Sequence, residues 1–484
     1  MSDPGSLGRT SSWAGVRAVV IGIGVSGFAA ADTLLHVGAH VTVLASSASP
    51  AQQEKATLLE ILGAEIRIGT SHGLPDDVHL VVTSPGVPPS APVLVASYSR
   101  GVPVWAEVEL AWRLRDPEHP GTWLCVTGTN GKTTTVQMLD AILKADGANS
   151  IACGNVGLPL VEAVMDPEPY AVYAVELSSF QLHYTNTMAA ESAAVLNVAE
   201  DHLDWYSSRS DYAADKGRIY ERVRNACVYN VADPLTERLV RDAEVAEGAR
   251  AIGFTLGTPG VGMVGLVEDV LADRAFIDER GDSAAELCTL SDLASPAPHV
   301  VANALAAAAL ARSYGVATTS VRDGLRAFVP DGHRIADVAV VDEVRWVDDS
   351  KATNPHAAAS SLQAYDRVVW VAGGLAKGAS FDDLVISVWD RLRGVVLIGR
   401  DRRVLADALA RHAPAVRVVE VEGGDGPGAE RVMDRVVAAA ADLAEPGDTV
   451  LLAPGCASMD MFADYAARGD AFAESVLRLR GHKS

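Results

Sequence analysis

Residues 124–135, "LCVTGTNGKTTT", decide how the rest of the chain is read. A short apolar run enters a turn containing Gly128, Thr129, Asn130 and Gly131, and Lys132, Thr133 and Thr134 follow at the start of a helix. A strand–loop–helix unit of this kind turns backbone N–H groups inward as an anion nest. Its lysine can reach terminal phosphates and its threonine hydroxyl can ligate Mg²⁺. The match to a phosphate loop is partial: Val126 stands where the first glycine is usual, and Gly128 comes two residues later. The alternative is a glycine-rich turn that merely opens a helix. The Lys-Thr pair at the helix start favours a nucleotide, with ATP as the expected ligand.

On either side of this loop the chain alternates short apolar strands with helical stretches, the pattern of a mostly parallel sheet. "VRAVVIGIGVSGFAAADTLLHVGAHVTVLAS" near the N-terminus is a βαβ unit, and "RDPEHPG" (115–121) is a polar linker. The alternation returns after Pro330-Asp331-Gly332 with "RVVWVAGG", "GVVLIGR", "VRVVEV" and "DTVLLAPG", and "EGGDGPG" (422–428) reads as a flexible loop. The expected architecture is α/β in three domains. An N-terminal Rossmann-like domain spans 1–116, a central ATPase-like domain with the phosphate loop 117–330, and a C-terminal Rossmann-like domain 331–484.

A second glycine-rich turn, Gly22, Gly24 and Gly27, also lies between a strand and a helix. A dinucleotide site would need an acidic residue at the end of the next strand, where Ala45 and Ser46 stand. That leaves another phosphate ligand or plain close packing.

Glu176 follows the apolar strand "AVYAV", at an edge where open α/β sheets bind ligands, and could join Thr133 on Mg²⁺. Asp201, His202 and Asp204 follow the next strand. By itself His202 is either a hydrogen-bonded loop histidine or a metal or catalytic group, and Lys216 reads as a solvated helix lysine. "DDSKATNP" (348–355) forms a further polar cluster, which an acceptor substrate needs and a hydrolase of ATP alone does not.

Composition narrows the class. Apolar residues are 49% and charged residues 21% of the chain, an ordinary soluble balance. The longest apolar stretch, "VVANALAAAALA" (300–311), is too short to cross a bilayer and reads as a buried helix. The N-terminus lacks a signal-peptide pattern, and five scattered cysteines suggest free thiols, so a cytoplasmic location is expected. A formal charge of −22 argues against a nucleic-acid partner.

Taken in order, "GIGVSG", "SPGV", "GTNGKTTT", "GNVGLP", "ELSSFQL", "NVAEDHLDWY", "KGRIY", "HR", "DDSKATNP", "GGLAKGA" and "APGCASMDMF" resemble the Mur ligases, the ATP-dependent amide ligases of bacterial cell-wall precursor synthesis. The resemblance covers nearly the whole chain. It implies addition of D-glutamate to the alanyl carboxylate of UDP-N-acetylmuramoyl-L-alanine through an acyl phosphate, by a monomer that enters no membrane. By the same resemblance Gly128, Thr129, Asn130, Gly131, Lys132, Thr133, Thr134, Asn303 and Arg334 contact ATP. Thr133, Glu176, His202 and a carbamylated Lys216 would hold two Mg²⁺ ions, and Lys132, His202 and Lys216 would serve catalysis. Val25, Ser26, Ser46, Asn155 and His202 would contact the nucleotide-sugar, and Lys351, Thr353, Lys377, Ser458 and Tyr465 would form the D-glutamate pocket. The chain departs from the family at Ala45-Ser46-Ser47, where an acid or arginine is frequent, at Val300 beside His299, and at Tyr465, where phenylalanine is familiar. A folate-type polyglutamate ligase and a non-catalytic nucleotide-binding regulator on the same fold are the alternatives.

Overall fold

The computed structural model describes residues 4–69, 73–199, 201, 205–330, 332–422 and 429–483. Three sheets run in chain order, and most of their strand pairs are parallel. The first is wholly parallel, in the order Glu65–Ile68, His40–Ala45, Arg17–Ile21, Leu80–Thr83, Val104–Ala106. Its central strand Arg17–Ile21 is buried from Ala18 onward, which is why it reads as a continuous apolar run rather than an alternating one.

The second sheet has nine strands. Thr122–Thr127 lies between Ser192–Val195 and Val172–Glu176, with Ser150–Gly154 at the edge beyond Glu176. Its far end turns antiparallel. Met263–Val267 and Val270–Asp273 form a hairpin whose two-residue turn has Glu268 at φ +55°, and Ala285–Thr289 adds to it. The expectation of a mostly parallel sheet holds, with this meander added. The alanine-rich stretch becomes the helix Pro298–Tyr314, in which every residue from Ala304 to Ala311 is fully buried. It shares one hydrophobic core with Leu124, Val126 and Val228 of the sheet and with Leu139 of the helix Lys132–Ala145.

The third sheet runs Ala336–Val341, Val344–Asp348, Thr449–Leu452, Val368–Gly373, Leu392–Ile398, Arg417–Glu420. Only its first pair is antiparallel, closed by a tight turn with Asp342 at φ +51° and Glu343 at φ +61°.

The chain packs as two compact units. One comprises Met1–Val198, Ser208–Pro296 and Val300–Phe328, and carries the first and second sheets. The other comprises Ala199–Ser207, Ala297–His299 and Val329–Ser484, and carries the third. No helix among the described residues is long and apolar enough to cross a membrane. Residues 423–428 of the loop expected to be flexible lie outside the described residues.

Candidate functional site

The buried strand Thr122–Thr127 ends at Gly128, and the helix Lys132–Ala145 begins after Gly131. Gly131 has φ +83°, and a β-carbon there would sit 2.4 Å from Asn303 Oδ1, so backbone and neighbour both require glycine. The loop is tied down from outside. Asn197 accepts from the Asn130 amide through Oδ1 (2.9 Å) and donates through Nδ2 to the Asn130 carbonyl (3.1 Å). The hydroxyls of Thr129 and Tyr212 lie 3.1 Å apart. Lys132 Nζ folds over the loop and donates to the carbonyls of Gly128 and Thr129, both at 2.9 Å. Thr133 and Thr134, nearly buried, occupy the first turn of that helix. This is a preformed phosphate cradle with an ammonium at its mouth.

Glu176 closes the strand Val172–Glu176 and pairs with Val126, so its carboxylate sits level with the point where the loop departs. It is only 2% exposed; Oε1 accepts from Asn155 Nδ2 at 2.9 Å, and Oε2 is buried with no hydrogen-bond partner. A buried carboxylate oxygen without a partner is costly, and a hard cation would satisfy it. The residues therefore fit Mg²⁺: Glu176 could supply a carboxylate oxygen and Thr133 a hydroxyl on the loop helix. Among the described residues no cluster of three His, Cys, Asp or Glu side chains forms a metal site. His202 and Asp204 lie outside the described residues, and Asp201 is partly buried.

Lys216 corrects the reading of a solvated lysine. It is 1% exposed, with Nζ donating to the Gly128 carbonyl at 2.8 Å and lying 4.5 Å from the centre of the Tyr212 ring. The helix Arg209–Gly217 buries Tyr212, Ala213, Asp215 and Lys216 on one face, and periodicity alone could have shown that Tyr212 and Lys216 share it. On the same helix Asp215 Oδ2 lies 2.7 Å from His183 Nδ1.

In the first sheet, Gly22 (φ +95°) and Gly27 pack so closely that a β-carbon on Gly27 would meet the Gly22 carbonyl oxygen at 2.2 Å. Val25 and Ser26 open the following helix, with Val25 61% exposed, and Ser46 is exposed after the adjacent strand His40–Ala45. Ser84 Oγ is buried beside this turn with no hydrogen-bond partner.

In the second unit, Lys351, Lys377 and Ser458 follow the C-terminal ends of three adjacent strands, Val344–Asp348, Val368–Gly373 and Thr449–Leu452. This crevice is the usual ligand position of an open α/β sheet. Lys351 Nζ stacks 3.8 Å from the Tyr465 ring centre, while Thr353 donates its amide to the Lys351 carbonyl at 2.8 Å. Leu375 and Ala457 exchange backbone hydrogen bonds, joining the loop of Lys377 to that of Ser458. Lys377 is exposed and held at φ +50°, a conformation that costs a non-glycine residue about 1 kcal/mol or more.

Beneath these side chains lies a network the sequence did not announce. Arg468, 1% exposed, donates to Ser350 Oγ (2.9 Å), the Ser350 carbonyl (2.8 Å) and the Cys456 carbonyl (3.1 Å). Ser350 Oγ in turn donates to the Tyr465 carbonyl at 2.7 Å. Burial draws Arg468 down to about 10, still cationic at neutral pH. Asp348 meets His333 Nδ1 at 2.6 Å, and Asp349 accepts from Ser361 Oγ and the Ile335 amide. Burial pushes Asp349 up to about 7 against those two hydrogen bonds. Arg334, expected on ATP, is partly buried beside His333 in this unit, as is His299, which burial and then Arg334 push down to about 4.

Three domain profiles match the chain in order: "Mur ligase MurD-like, N-terminal domain" over 16–106, "Mur ligase middle domain" over 126–311 and "Mur ligase, glutamate ligase domain" over 333–456. The UDP-N-acetylmuramoylalanine–D-glutamate ligase of Streptomyces avermitilis is 58% identical over 96% of this chain and 99% of its own. That of Streptomyces coelicolor is 57% identical over 97% and 99%. Among solved structures, the UDP-N-acetylmuramate-alanine ligase MurC of Thermotoga maritima superposes with a TM-score of 0.56 at 20% identity, covering 96% of this chain and 99% of its own, which speaks to the fold alone. The chain belongs to the Mur ligase family, in the branch of the UDP-N-acetylmuramoylalanine–D-glutamate ligases.

Proposed function

We propose that the chain joins the amine of D-glutamate to the alanyl carboxylate of UDP-N-acetylmuramoyl-L-alanine at the expense of ATP, in peptidoglycan precursor synthesis. The observation that carries this reading is identity of 58% along 96% of the chain to a ligase named for that reaction. The three domains, 1–116, 117–330 and 331–484, take the nucleotide-sugar, ATP and the amino acid respectively.

A carboxylate does not acylate an amine in water at neutral pH, so its hydroxide-like leaving group must be exchanged for a better one. The Gly128–Gly131 amides, Lys132 and the first turn of the helix Lys132–Ala145 hold the ATP phosphates and neutralise charge as it moves to the β–γ bridge. The alanyl carboxylate attacks the γ-phosphorus, ADP leaves, and an acyl phosphate forms. The D-glutamate amine then attacks the acyl carbon, loses a proton and expels phosphate. Asn303 and Arg334 contact the nucleotide; Val25, Ser26, Ser46, Asn155 and His202 contact the nucleotide-sugar. Lys351 and Lys377 bind the glutamate carboxylates, with Thr353, Ser458 and Tyr465 lining the rest of the pocket.

Two Mg²⁺ ions, held by Thr133, Glu176, His202 and a carbamylated Lys216, would supply charge neutralisation on the phosphates. Carbamylation would replace the Lys216 ammonium with an anionic oxygen donor beside the Gly128 carbonyl it now meets. The protein acts as a cytoplasmic monomer on small molecules.

The test is phosphate release with ATP, Mg²⁺ and UDP-N-acetylmuramoyl-L-alanine across a panel of D- and L-amino acids. Release only with D-glutamate is expected. Release with a pteroylglutamate and not with the nucleotide-sugar would point instead to the folate-type alternative.

A further inference from the structure

The helix Glu107–Leu114 leaves the edge strand of the first sheet and buries two carboxylates against segments of the second. Glu107, 2% exposed, accepts from the Val161 amide at 2.5 Å. Val161, in the short helix Leu160–Met165, lies just past the 155–159 loop, which begins with Asn155. Glu109, fully buried, accepts from the amides of Asn186 (2.7 Å) and Thr187 (2.9 Å), from Thr187 Oγ1 (2.7 Å) and from Arg113 Nε (2.6 Å). Asn186 and Thr187 end the segment that leaves Glu176 through the short helix Ser179–His183. Ala106, the residue before Glu107, donates its amide to the Tyr184 carbonyl at 3.0 Å in the same segment.

The two gripped segments are the ones that present the Asn155–Glu176 hydrogen bond. Asn155 is fixed to the sheet by its amide on the Glu176 carbonyl at 2.8 Å, and the far end of its loop is fixed by Glu107. We propose that Glu107 and Glu109 are positioning residues for the Asn155–Glu176 pair, holding the free Glu176 oxygen in place from the first sheet's trailing helix. This inference rests on the reading of Glu176 as a cation ligand.

The cost of the arrangement supports a role beyond packing. An apolar side chain would bury at position 107 with less penalty, and among the described residues no cation pairs with Glu107, whereas Glu109 has Arg113. Burial first, and Glu162 opposite it second, push Glu107 up to about 7 against the pull of the Val161 and Leu160 amides. What the carboxyl provides is an acceptor for Val161. A glutamine carbonyl provides the same acceptor without the charge, so Glu107→Gln is expected to preserve the function and Glu107→Ala to lose it.

The experiment measures Mn²⁺ binding to the whole chain, by loss of the free-ion electron paramagnetic resonance signal in the presence of a non-hydrolysable ATP analogue. Kinetic constants for Mg²⁺ and ATP are read alongside. Glu107→Ala is expected to weaken Mn²⁺ about tenfold and raise the half-saturating Mg²⁺ to match, with KM for ATP unchanged. Glu107→Gln is expected to bind as wild type. Should Glu107→Ala fail to fold, Glu109→Gln carries the test, because its amide N–H group would face the donors of Asn186 or Thr187 and is expected to weaken Mn²⁺ in the same way. Wild-type Mn²⁺ affinity in a folded Glu107→Ala or Glu109→Gln overturns the inference, as does a uniform rise in every KM. Glu176→Gln serves as the control: if it leaves Mn²⁺ binding unchanged, the reading of Glu176 itself fails.

Discussion

The glycine loop proposed to hold phosphates and the crevice proposed to hold the amino acid fix their functional groups by different physical means. Around Gly128–Gly131 the shape comes from the backbone, a left-handed glycine and a helix start, and neighbouring side chains such as Asn197, Lys132 and Lys216 only brace its carbonyls. Around Lys351 and Ser458 the holding passes to a buried guanidinium. Arg468 bonds the segment of Lys351 at Ser350 and that of Ser458 at the Cys456 carbonyl, and it connects through Ser350 to Tyr465. A backbone cradle depends on residues that are identifiable by type and spacing. A side-chain network depends on where one long side chain happens to turn inward, and a sequence does not record that. The two sites should therefore fail differently when altered.

Lys132→Ala is expected to have the largest effect. It removes the ammonium at the phosphate cradle while leaving the glycine turn and helix in place, so kcat should fall about a thousandfold with melting temperature little changed. Steady-state kinetics beside thermal denaturation check this. A comparable loss of stability would mean that the lysine's bonds to Gly128 and Thr129 hold the loop up, and the contrast between the sites would weaken.

Arg468→Ala reverses the pattern. It strips three carbonyl or hydroxyl acceptors of a charged donor inside the third sheet's unit, at a cost of about 3 kcal/mol in stability. KM for D-glutamate should rise with KM for ATP unchanged, because the cradle of Gly128–Gly131 is built without Arg468. Denaturant unfolding and separate KM determinations test both parts. An equal rise in the two constants would remove the distinction.

How much was legible beforehand follows the same division. The three parallel-rich sheets, the glycine turn between strand and helix, the place of Glu176 at its strand's end and the buried alanine helix could all be read, because glycine spacing and apolar runs encode backbone geometry directly. Periodicity places Lys216 on one helix face with Tyr212 but does not say that this face is buried, since a lysine on a polar helix looks solvated until the packing is known; the role proposed for it comes from resemblance. Asn197 and Tyr212, which tie down the loop, lay within quoted motifs or beside them without any mark of that task. Arg468 and Glu107 carry no local signal at all. Each is an ordinary charged residue near the start of a helix until the fold buries it. The antiparallel end of the second sheet was missed because its strands are short and its turn, Glu268-Asp269, lacks the glycine that usually flags a hairpin.

The smallest expected effect concerns Asp349, which burial holds near 7. A carboxyl whose pKa is raised in the fold contributes stability that is fully present below its ordinary value near 4 and is lost as pH rises through about 7. Asp349→Asn keeps one oxygen to accept from the Ile335 amide, turns an N–H group towards the Ser361 hydroxyl, which can accept it, and cannot ionise. Its melting temperature relative to wild type should therefore climb between pH 5 and pH 8 by a few degrees. Parallel curves at the two pH values would show that Asp349 is ionised at little cost.

The claim that activation of the acid and capture of the amine belong to separate sites is tested most directly by trapping the acyl phosphate with hydroxylamine. ATP, Mg²⁺ and UDP-N-acetylmuramoyl-L-alanine are supplied to Lys351→Ala and to Lys132→Ala, and the hydroxamate of the nucleotide-sugar is quantified by mass spectrometry. The account predicts hydroxamate from Lys351→Ala at near wild-type yield, although it makes little amide with D-glutamate, and none from Lys132→Ala. Absence of hydroxamate from a folded Lys351→Ala, or its formation by Lys132→Ala, would contradict the account.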